Sequence, residues 1–427
     1  MTLLAAKIAA ARAVGSLARR AGRGGGTSLP GKVLLRLEPG AIRELAARLA
    51  RGSVVISATN GKTTSAAMVA AVLARAGIPV VHNRAGANMA GGVASTLVAA
   101  ARPGGGISGD LGLFEVDEFW LDRVVPQLEP QAILLGNLFR DQLDRYGELD
   151  TIADRWAAVC SSAAGRGARL VLNADDPLIA DLGRGSAKVA YFGVEDPSVA
   201  IPEMQHASDS KHCRRCGAAY VYDVVYLGHL GVYRCPSCGA SRPAPGVAAE
   251  QISLHGTRGS SFDLVTPSGR ARVELPLPGL YNVYNALGAA ALCLSLAVPP
   301  DVVVAGLGEV RAAFGRAERI AIRDVELQVL LIKNPAGANE ILRTLVIEPD
   351  SLDLLAVLND RTADGHDVSW VWDADFEMLA DRVRQVTCAG TRAAELAVRL
   401  KYAGVPPERL HVVPDVAVAL DQAIADA

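Results

Sequence analysis

The run Ser53-Val54-Val55-Ile56-Ser57 is followed at once by Ala58-Thr59-Asn60-Gly61-Lys62-Thr63-Thr64 and then by an Ala-rich stretch to Ala76. A short β-branched run, a glycine loop and a helical stretch form the context that a phosphate-binding loop needs. Backbone N–H groups at a helix start point at phosphate oxygens, and the helix dipole favours the anion. Lys62 can reach the β- and γ-phosphates, and the Thr63 hydroxyl can ligate Mg²⁺. Gly61 lets the backbone approach closely. Thr59, Asn60 and Thr64 complete the candidate nucleotide loop. The plain alternative is an ordinary Gly-Lys-Thr helix start. Ile56 occupies the position five before Gly61 where the common P-loop has its first glycine, so this loop is the shorter kind.

The same alternation continues. Pro79–His82, Ala132–Leu135 and Leu170–Leu172 read as strands between helical stretches, which implies a parallel sheet covered by helices. After Phe314 a second α/β series begins. Strands are expected at Glu326–Ile332, Leu352–Leu358 and Val383–Cys388, and helices at Ala338–Val346 and Arg392–Ala403. A chain of 427 residues is long for one core, which points to two or three domains. Aromatics make up only 5%, which suits close helix–sheet packing. A net charge of −2 leaves no basic excess to neutralise a nucleic-acid backbone, so nucleic acid is not expected as a partner.

Residues 1–21 form a basic, Ala-rich amphipathic stretch. Lys7, Arg12, Arg19 and Arg20 interrupt it, so it is neither a signal peptide nor a membrane span. It either packs on the next domain or adheres to an anionic membrane face. The Gly-rich segment Gly22–Gly31 follows. A cytoplasmic location is expected, with a peripheral position at the inner face of the membrane as the finer alternative.

Cys213-x2-Cys216 and Cys235-x2-Cys238 are separated by 18 residues, a spacing that suggests a tetrahedral Zn²⁺ ribbon. Tyr220–Leu227 and Gly231–Arg234 would form the hairpin between the knuckles. Four thiolates leave no open position, so the metal would be structural. Cys160, Cys293 and Cys388 stand alone in apolar surroundings and read as core residues.

Further motifs resemble those of the Mur ligase and folylpolyglutamate synthase superfamily, in its order. The loop resembles that superfamily's Gly-Thr-Asn-Gly-Lys-Thr-Thr, with Ala58 in place of the leading glycine. Phe114-Glu115-Val116-Asp117-Glu118 resembles its acidic metal-binding segment, with Glu115 first as a magnesium ligand and Asp117 or Glu118 as alternatives. Asn137–Gly147 resembles its Asn…Asp-His-Leu-Asp segment, with Gln142 where many relatives have a metal-binding His. Leu172–Pro177 resembles the Asn-Ala-Asp-Asp-Pro turn near the nucleotide pocket; a plain strand-to-turn cap is the alternative. Pro278–Ala286 resembles the segment in which an Asn amide reads adenine, which implies Asn285, then Asn282, unless either is a helix N-cap. Phe314–Arg319 resembles the Gly-Arg-x-Glu hinge, which would bring Arg316 to the γ-phosphate.

Asn83–Met89, Asp141-Gln142-Leu143-Asp144, Lys333–Glu340 and Ala363–Asp373 resemble one branch, the MurT family, synthetase subunits of lipid II isoglutaminyl synthase. The resemblance implies a Mur ligase-like α/β fold: a P-loop domain over 39–313 with a zinc-ribbon insertion at about 205–245, and a Rossmann-like C-terminal domain over 314–427. Residues 1–38 would be an N-terminal helix and linker. It implies ATP, Mg²⁺ and structural Zn²⁺ as cofactors. The implied reaction amidates the α-carboxylate of D-glutamate in the lipid II stem peptide through an acyl phosphate. Ammonia would come from a GatD-like glutaminase. The resemblance also implies that a loop aspartate, Asp364 with Asp367 in reserve, completes the partner's catalytic triad. An amino-acid-adding Mur ligase or a folylpolyglutamate synthase is the nearest alternative reading. A zinc-ribbon ATPase acting as an interaction module is one of another class.

Overall fold

The computed structural model describes residues 3–20, 28–84, 86–103, 105–140, 149–205, 208–311, 316–361 and 365–426, with only the backbone of Arg19, Arg316 and Ala317. Gln142 and Asp364 lie outside the described residues.

Val54, Val55 and Ile56 are buried on both faces, as a central parallel strand requires. They form β1 (Ser53–Ser57). The chain continues through β2 (Val80–His82), β3 (Leu111–Glu115), β4 (Ala132–Leu135), β5 (Arg169–Asn173) and β6 (Val189–Val194). A hairpin of β7 (Val221–Leu227) and β8 (Leu230–Arg234) then leaves the sheet. The sheet resumes with β9 (Val247–Leu254), β10 (Ser260–Thr266) and β11 (Gly269–Leu275). The nine-stranded order is β11-β10-β9-β6-β5-β4-β1-β3-β2, parallel except for β10 against both its neighbours. β1 lies between β3 and β4, with Ile56 opposite Glu115 and Ser57 opposite Leu135. The carboxyl ends of these three strands are therefore level. This is the switch point of an open α/β sheet, where a ligand crevice forms.

One face of the sheet is covered by the helices Lys62–Arg75, Leu280–Ser295 and Pro300–Gly308. The other carries Ala90–Ala100, Leu121–Leu128 and Leu149–Gly165. The N-terminal helix Leu3–Arg20 joins this second layer. Leu4, Ile8 and Ala11 are buried with Leu34, Val55 and Phe114. Arg12 donates to the carbonyls of Val98 and Ala101, which the end of helix Ala90–Ala100 leaves without intrahelical partners. Helix Leu29–Leu37 approaches so closely that a Cβ on Gly31 would stand 1.9 Å from the Gly91 carbonyl oxygen. Residues 3–20 thus pack on the next domain, as the first of the two readings expected. Among the described residues no helix is long and apolar enough to cross a membrane.

The C-terminal region has its own core around Leu342, Val386, Cys388 and Leu400. Its parallel sheet is β14 (Leu352–Val357), β15 (Val383–Ala389) and β16 (Leu410–Val412). Ahead of it, β12 (Arg316–Ile322) and β13 (Val325–Leu330) form a separate antiparallel hairpin. The strand expected at Glu326–Ile332 is present as β13, but it pairs in this hairpin and does not join the C-terminal parallel sheet. The two-residue link Arg323-Asp324, with Arg323 at φ 55°, turns the chain straight back on itself.

Candidate functional site

The loop after β1 is held open from two sides. Gly61 adopts φ 85°, and a Cβ there would lie 2.1 Å from Asn285 Oδ1, so glycine is required twice over. Asn137, just beyond β4, clamps the Asn60 peptide: its Oδ1 accepts the Asn60 N–H at 2.9 Å and its Nδ2 donates to the Asn60 carbonyl at 3.0 Å. Thr59 Oγ1 accepts from the Phe139 N–H at 3.0 Å and donates to the Phe139 carbonyl at 3.2 Å. These four bonds tie the loop's backbone and Thr59 side chain from behind.

Lys62 opens helix Lys62–Arg75 and folds back over the loop. Its Nζ donates to Glu118 at 2.8 Å and to the carbonyls of Ala58 and Thr59. Burial works to lower its pKa, but the carboxylates of Glu118, Asp117 and Glu115 outweigh burial and hold it above its ordinary value. Lys62 therefore stays an ammonium, poised for an anion. Glu118, an alternative metal ligand by sequence, is the ion-pair partner of Lys62.

Thr63 Oγ1 donates to Glu115 Oε1 at 2.9 Å. Glu115 is buried, and its backbone is fixed by Asn83, which accepts the Glu115 N–H at 2.8 Å and donates to its carbonyl at 2.7 Å. A hydroxyl and a carboxylate of this kind, beside a phosphate loop, are hard oxygen donors suited to Mg²⁺. Asn285 accepts from Ser65 at 3.2 Å and donates to Asn282 at 3.1 Å, and Asn282 donates to the Pro278 carbonyl at 2.8 Å. Both amides thus lie at the loop, buttressing it.

The C-terminal region reaches the same place. Asn334 Oδ1 caps helix Pro335–Val346 by accepting the Gly337 N–H at 2.9 Å. The same amide exchanges two hydrogen bonds with Asn60, at 3.0 and 3.2 Å. Asn83, Asn137 and Asn334 lie within the family-like motifs, but an asparagine has no periodicity or spacing that announces a clamp. The backbone of Arg316 lies in β12.

The Asn173–Pro177 turn is structural. Asp176 caps the short helix after it through the N–H groups of Leu178 and Ile179, and accepts from Leu138 at 2.9 Å. Asp175 is fully buried, bonded to Arg242 and Tyr284, each at 2.6 Å. In the C-terminal acidic loop, Asp360 bonds Thr391 and Arg392, and the exposed Asp367 accepts the Ser369 N–H at 2.8 Å.

Cys213, Cys216, Cys235 and Cys238 come together at the open end of the β7–β8 hairpin, with all four sulfurs within 4.8 Å of one another. The Cys213–Cys238 and Cys216–Cys235 sulfurs are 3.6 and 3.5 Å apart. Burial pushes the Cys213 thiol up, but the Tyr220 hydroxyl and nearby backbone N–H groups prevail and bring it down to about 6. A converged four-sulfur set with a thiolate favoured fits a tetrahedral metal ion.

Residues 331–427 match the model of the MurT ligase C-terminal family, and residues 56–233 that of the Mur ligase middle domain. A Staphylococcus aureus protein named lipid II isoglutaminyl synthase (glutamine-hydrolyzing) subunit MurT is 33% identical over 91% of this chain and 86% of its own. Its Streptococcus pneumoniae namesake is 32% identical over 91% and 84%. A pseudomurein peptide ligase type C from Methanothermus fervidus superposes with a TM-score of 0.68 at 24% identity, over 90% of this chain and 75% of that one. A Mycobacterium tuberculosis folylpolyglutamate synthase does so with a TM-score of 0.60 at 18% identity, over 94% and 91%. A Mur ligase-like fold around a nucleotide loop, together with this degree of identity along nearly the whole chain, means that the chain belongs to the MurT family of Mur ligases.

Proposed function

We propose that this chain is the ATP-dependent synthetase subunit that converts the D-glutamate α-carboxylate of lipid II to D-isoglutamine. The observation that carries the reading is the meeting of three parts at one point: the Lys62 ammonium, the Thr63–Glu115 pair, and the Asn60–Asn334 bonds that bring the C-terminal region to the loop. The substrate carboxylate takes the γ-phosphoryl group of ATP, releasing ADP and forming an acyl phosphate. Ammonia attacks the carbonyl carbon, the C–O bond to phosphate breaks, and a proton leaves the nitrogen to give the amide.

In this reading Lys62 and the loop N–H groups hold the phosphates, with Thr59, Asn60, Gly61 and Thr64 shaping the cradle. Thr63 and Glu115 hold Mg²⁺, which neutralises charge on the transferring group. Asn285 and Asn282 edge the adenine side, and Arg316 is the residue assigned to the γ-phosphate. The four cysteines hold a structural Zn²⁺. Residues 39–313 act as the ATPase domain and 314–427 as the domain that closes on it.

The ammonia comes from a glutaminase partner of the GatD kind, since the named relatives are subunits of a glutamine-hydrolysing enzyme. The test is direct. The purified chain, with lipid II, Mg²⁺ and ATP, should yield amidated lipid II and stoichiometric ADP when ammonium is supplied. With the partner added, glutamine should replace ammonium. Addition of an amino acid to the substrate in place of amidation would establish the rival ligase reading.

A further inference from the structure

The metal ribbon has a task that reaches beyond its own stability. We infer that the ribbon hairpin is a strut between the two halves of the molecule, and that Arg343 is the positioning residue through which it fixes the C-terminal domain over the nucleotide loop. The inference rests on the synthetase reading above and deepens it.

The hairpin has the four cysteines at one end and Gly228-His229 at its tip. His229 is fully buried, with its ring centroid 4.5 Å from that of Phe139 and its Nε2 3.4 Å from Asp176 Oδ2. Phe139 is the residue whose N–H and carbonyl hold the Thr59 hydroxyl. The tip therefore braces the phosphate loop from behind. Tyr226, Leu227 and Leu230 are buried in the same core as Val194 and Ala249 of the large sheet.

The flank of the hairpin meets the C-terminal domain. Arg343 Nη1 donates to the Tyr226 carbonyl at 2.7 Å, and Nη2 to the Val199 carbonyl at 3.2 Å. Glu340, one turn earlier on the helix, holds the guanidinium at 3.0 Å. Both sit on helix Pro335–Val346, the element whose cap, Asn334, bonds Asn60. That helix belongs to both halves. Ala336 is buried with Tyr226 in the large core, and Ala338 and Leu342 in the C-terminal core.

A helix fixed at one end can swing; one fixed at two points cannot. Asn334 and Arg343 are nine residues apart, or about 13 Å along a helix at the usual rise. The first point is the phosphate loop and the second is the ribbon hairpin. The Tyr226 carbonyl is only as well placed as the hairpin that carries it. The Val199 carbonyl lies on the turn Pro197–Val199, which is joined to the hairpin through the pairing of Ile201 with Val225. The cysteine cluster closes that hairpin's open end.

The experiment uses the full chain with its zinc and its glutaminase partner, supplied with ammonium, ATP and lipid II. Arg343→Met should lower kcat for amidation by roughly tenfold or more, because small misplacements of reacting groups are costly. The KM for ATP should stay within about twofold and the zinc content should not change. Truncation leaves Glu340 buried without its cation, so Glu340→Gln/Arg343→Met repeats the test with no stranded charge. The second readout is hydrogen exchange of residues 335–346, which should quicken in the variant and, to the same degree, when zinc is chelated from the parent protein. Chelation of the variant should add little, since the two changes break one connection. Unchanged exchange on chelation, or effects of chelation and Arg343→Met that simply add, would overturn the strut. If the parent makes no amidated product while the exchange pattern holds, the synthetase reading fails and the strut stands.

Discussion

The side-chain amides of Asn60 and Asn334 face each other across 274 residues of sequence and exchange two hydrogen bonds, at 3.0 and 3.2 Å. One amide belongs to the phosphate loop, the other caps the first helix of the C-terminal domain. A primary amide both donates and accepts in one plane, so the pair is self-complementary.

Asn334→Asp separates the two duties of this residue. An aspartate still accepts the Gly337 N–H, and Asn and Asp are about equal as caps. It cannot donate to Asn60 Oδ1. Amidation should fall by about tenfold, the worth of one well-placed hydrogen bond of ~1–1.5 kcal/mol, with the thermal midpoint nearly unmoved. Asn334→Ala should lose the cap as well, lowering stability by about 1 kcal/mol. Steady-state kinetics and thermal melts on both variants check this.

Lys62→Ala should abolish ATP turnover, a fall of about 10²-fold or more, because a fixed cation is lost where charge moves. The fold should persist, although Glu118 is left buried without its partner. Thr63→Ala should act differently, raising the Mg²⁺ concentration needed for half-maximal rate while ATP still binds. Magnesium titrations of ADP release distinguish the two, and a Thr63→Ala enzyme with an unaltered magnesium requirement would remove Thr63 from the metal site.

The protein should carry about one zinc per chain, as a closed four-sulfur site does. Cys213→Ser should lose the metal and destabilise the hairpin, where Tyr220 packs against Cys213 and Cys235 and meets Tyr222 and Tyr233 edge-on. Metal analysis of gently purified protein, with unfolding curves before and after chelation, gives the answer. Equal stability with and without metal would show the cluster to be dispensable.

His82 predicts a pH dependence. Burial, with help from Arg84, pushes its pKa down to about 4 from 6.5, and its Nδ1 is buried without a hydrogen-bond partner among the described residues. The unfolded chain takes up a proton near pH 6.5 that the folded chain refuses until about pH 4. The contribution of neutral His82 is thus fully present above pH 6.5 and is lost as pH falls towards 4. His82→Gln should flatten the stability profile in that window, measured as urea midpoints at each pH. A profile as steep as the parent's would assign the slope to other groups.

Asp364→Asn should spare amidation driven by ammonium and cripple amidation driven by glutamine, if this aspartate orients the partner's catalytic histidine. Asp367→Asn serves as the comparison, because Asp367 already spends its carboxylate on the exposed Ser369 N–H. Equal loss of both activities in Asp364→Asn would move the residue to the synthetase site. Loss of neither would make it an ordinary loop residue.

Local sequence determined the nucleotide loop, the sheet that carries it and the cysteine knuckles. Each is written in neighbouring residues: a β-branched run for β1 and an apolar run for β4, Gly61-Lys62-Thr63 at a helix start, two Cys-x2-Cys pairs. Strand bounds such as Ser53–Ser57 and Ala132–Leu135 coincide with the sequence reading because burial on both faces leaves an unbroken apolar run. The strand β13 was legible but its pairing with β12 was not, since a strand's own residues carry no mark of its partner. The clamps Asn83, Asn137 and Asn334, the capture of Glu118 by Lys62, and the grip of Arg343 on the ribbon were decided only by the tertiary structure. Each joins groups far apart in the chain, and a polar side chain has no preferred partner until folding brings one within 3 Å and removes the water that would otherwise serve.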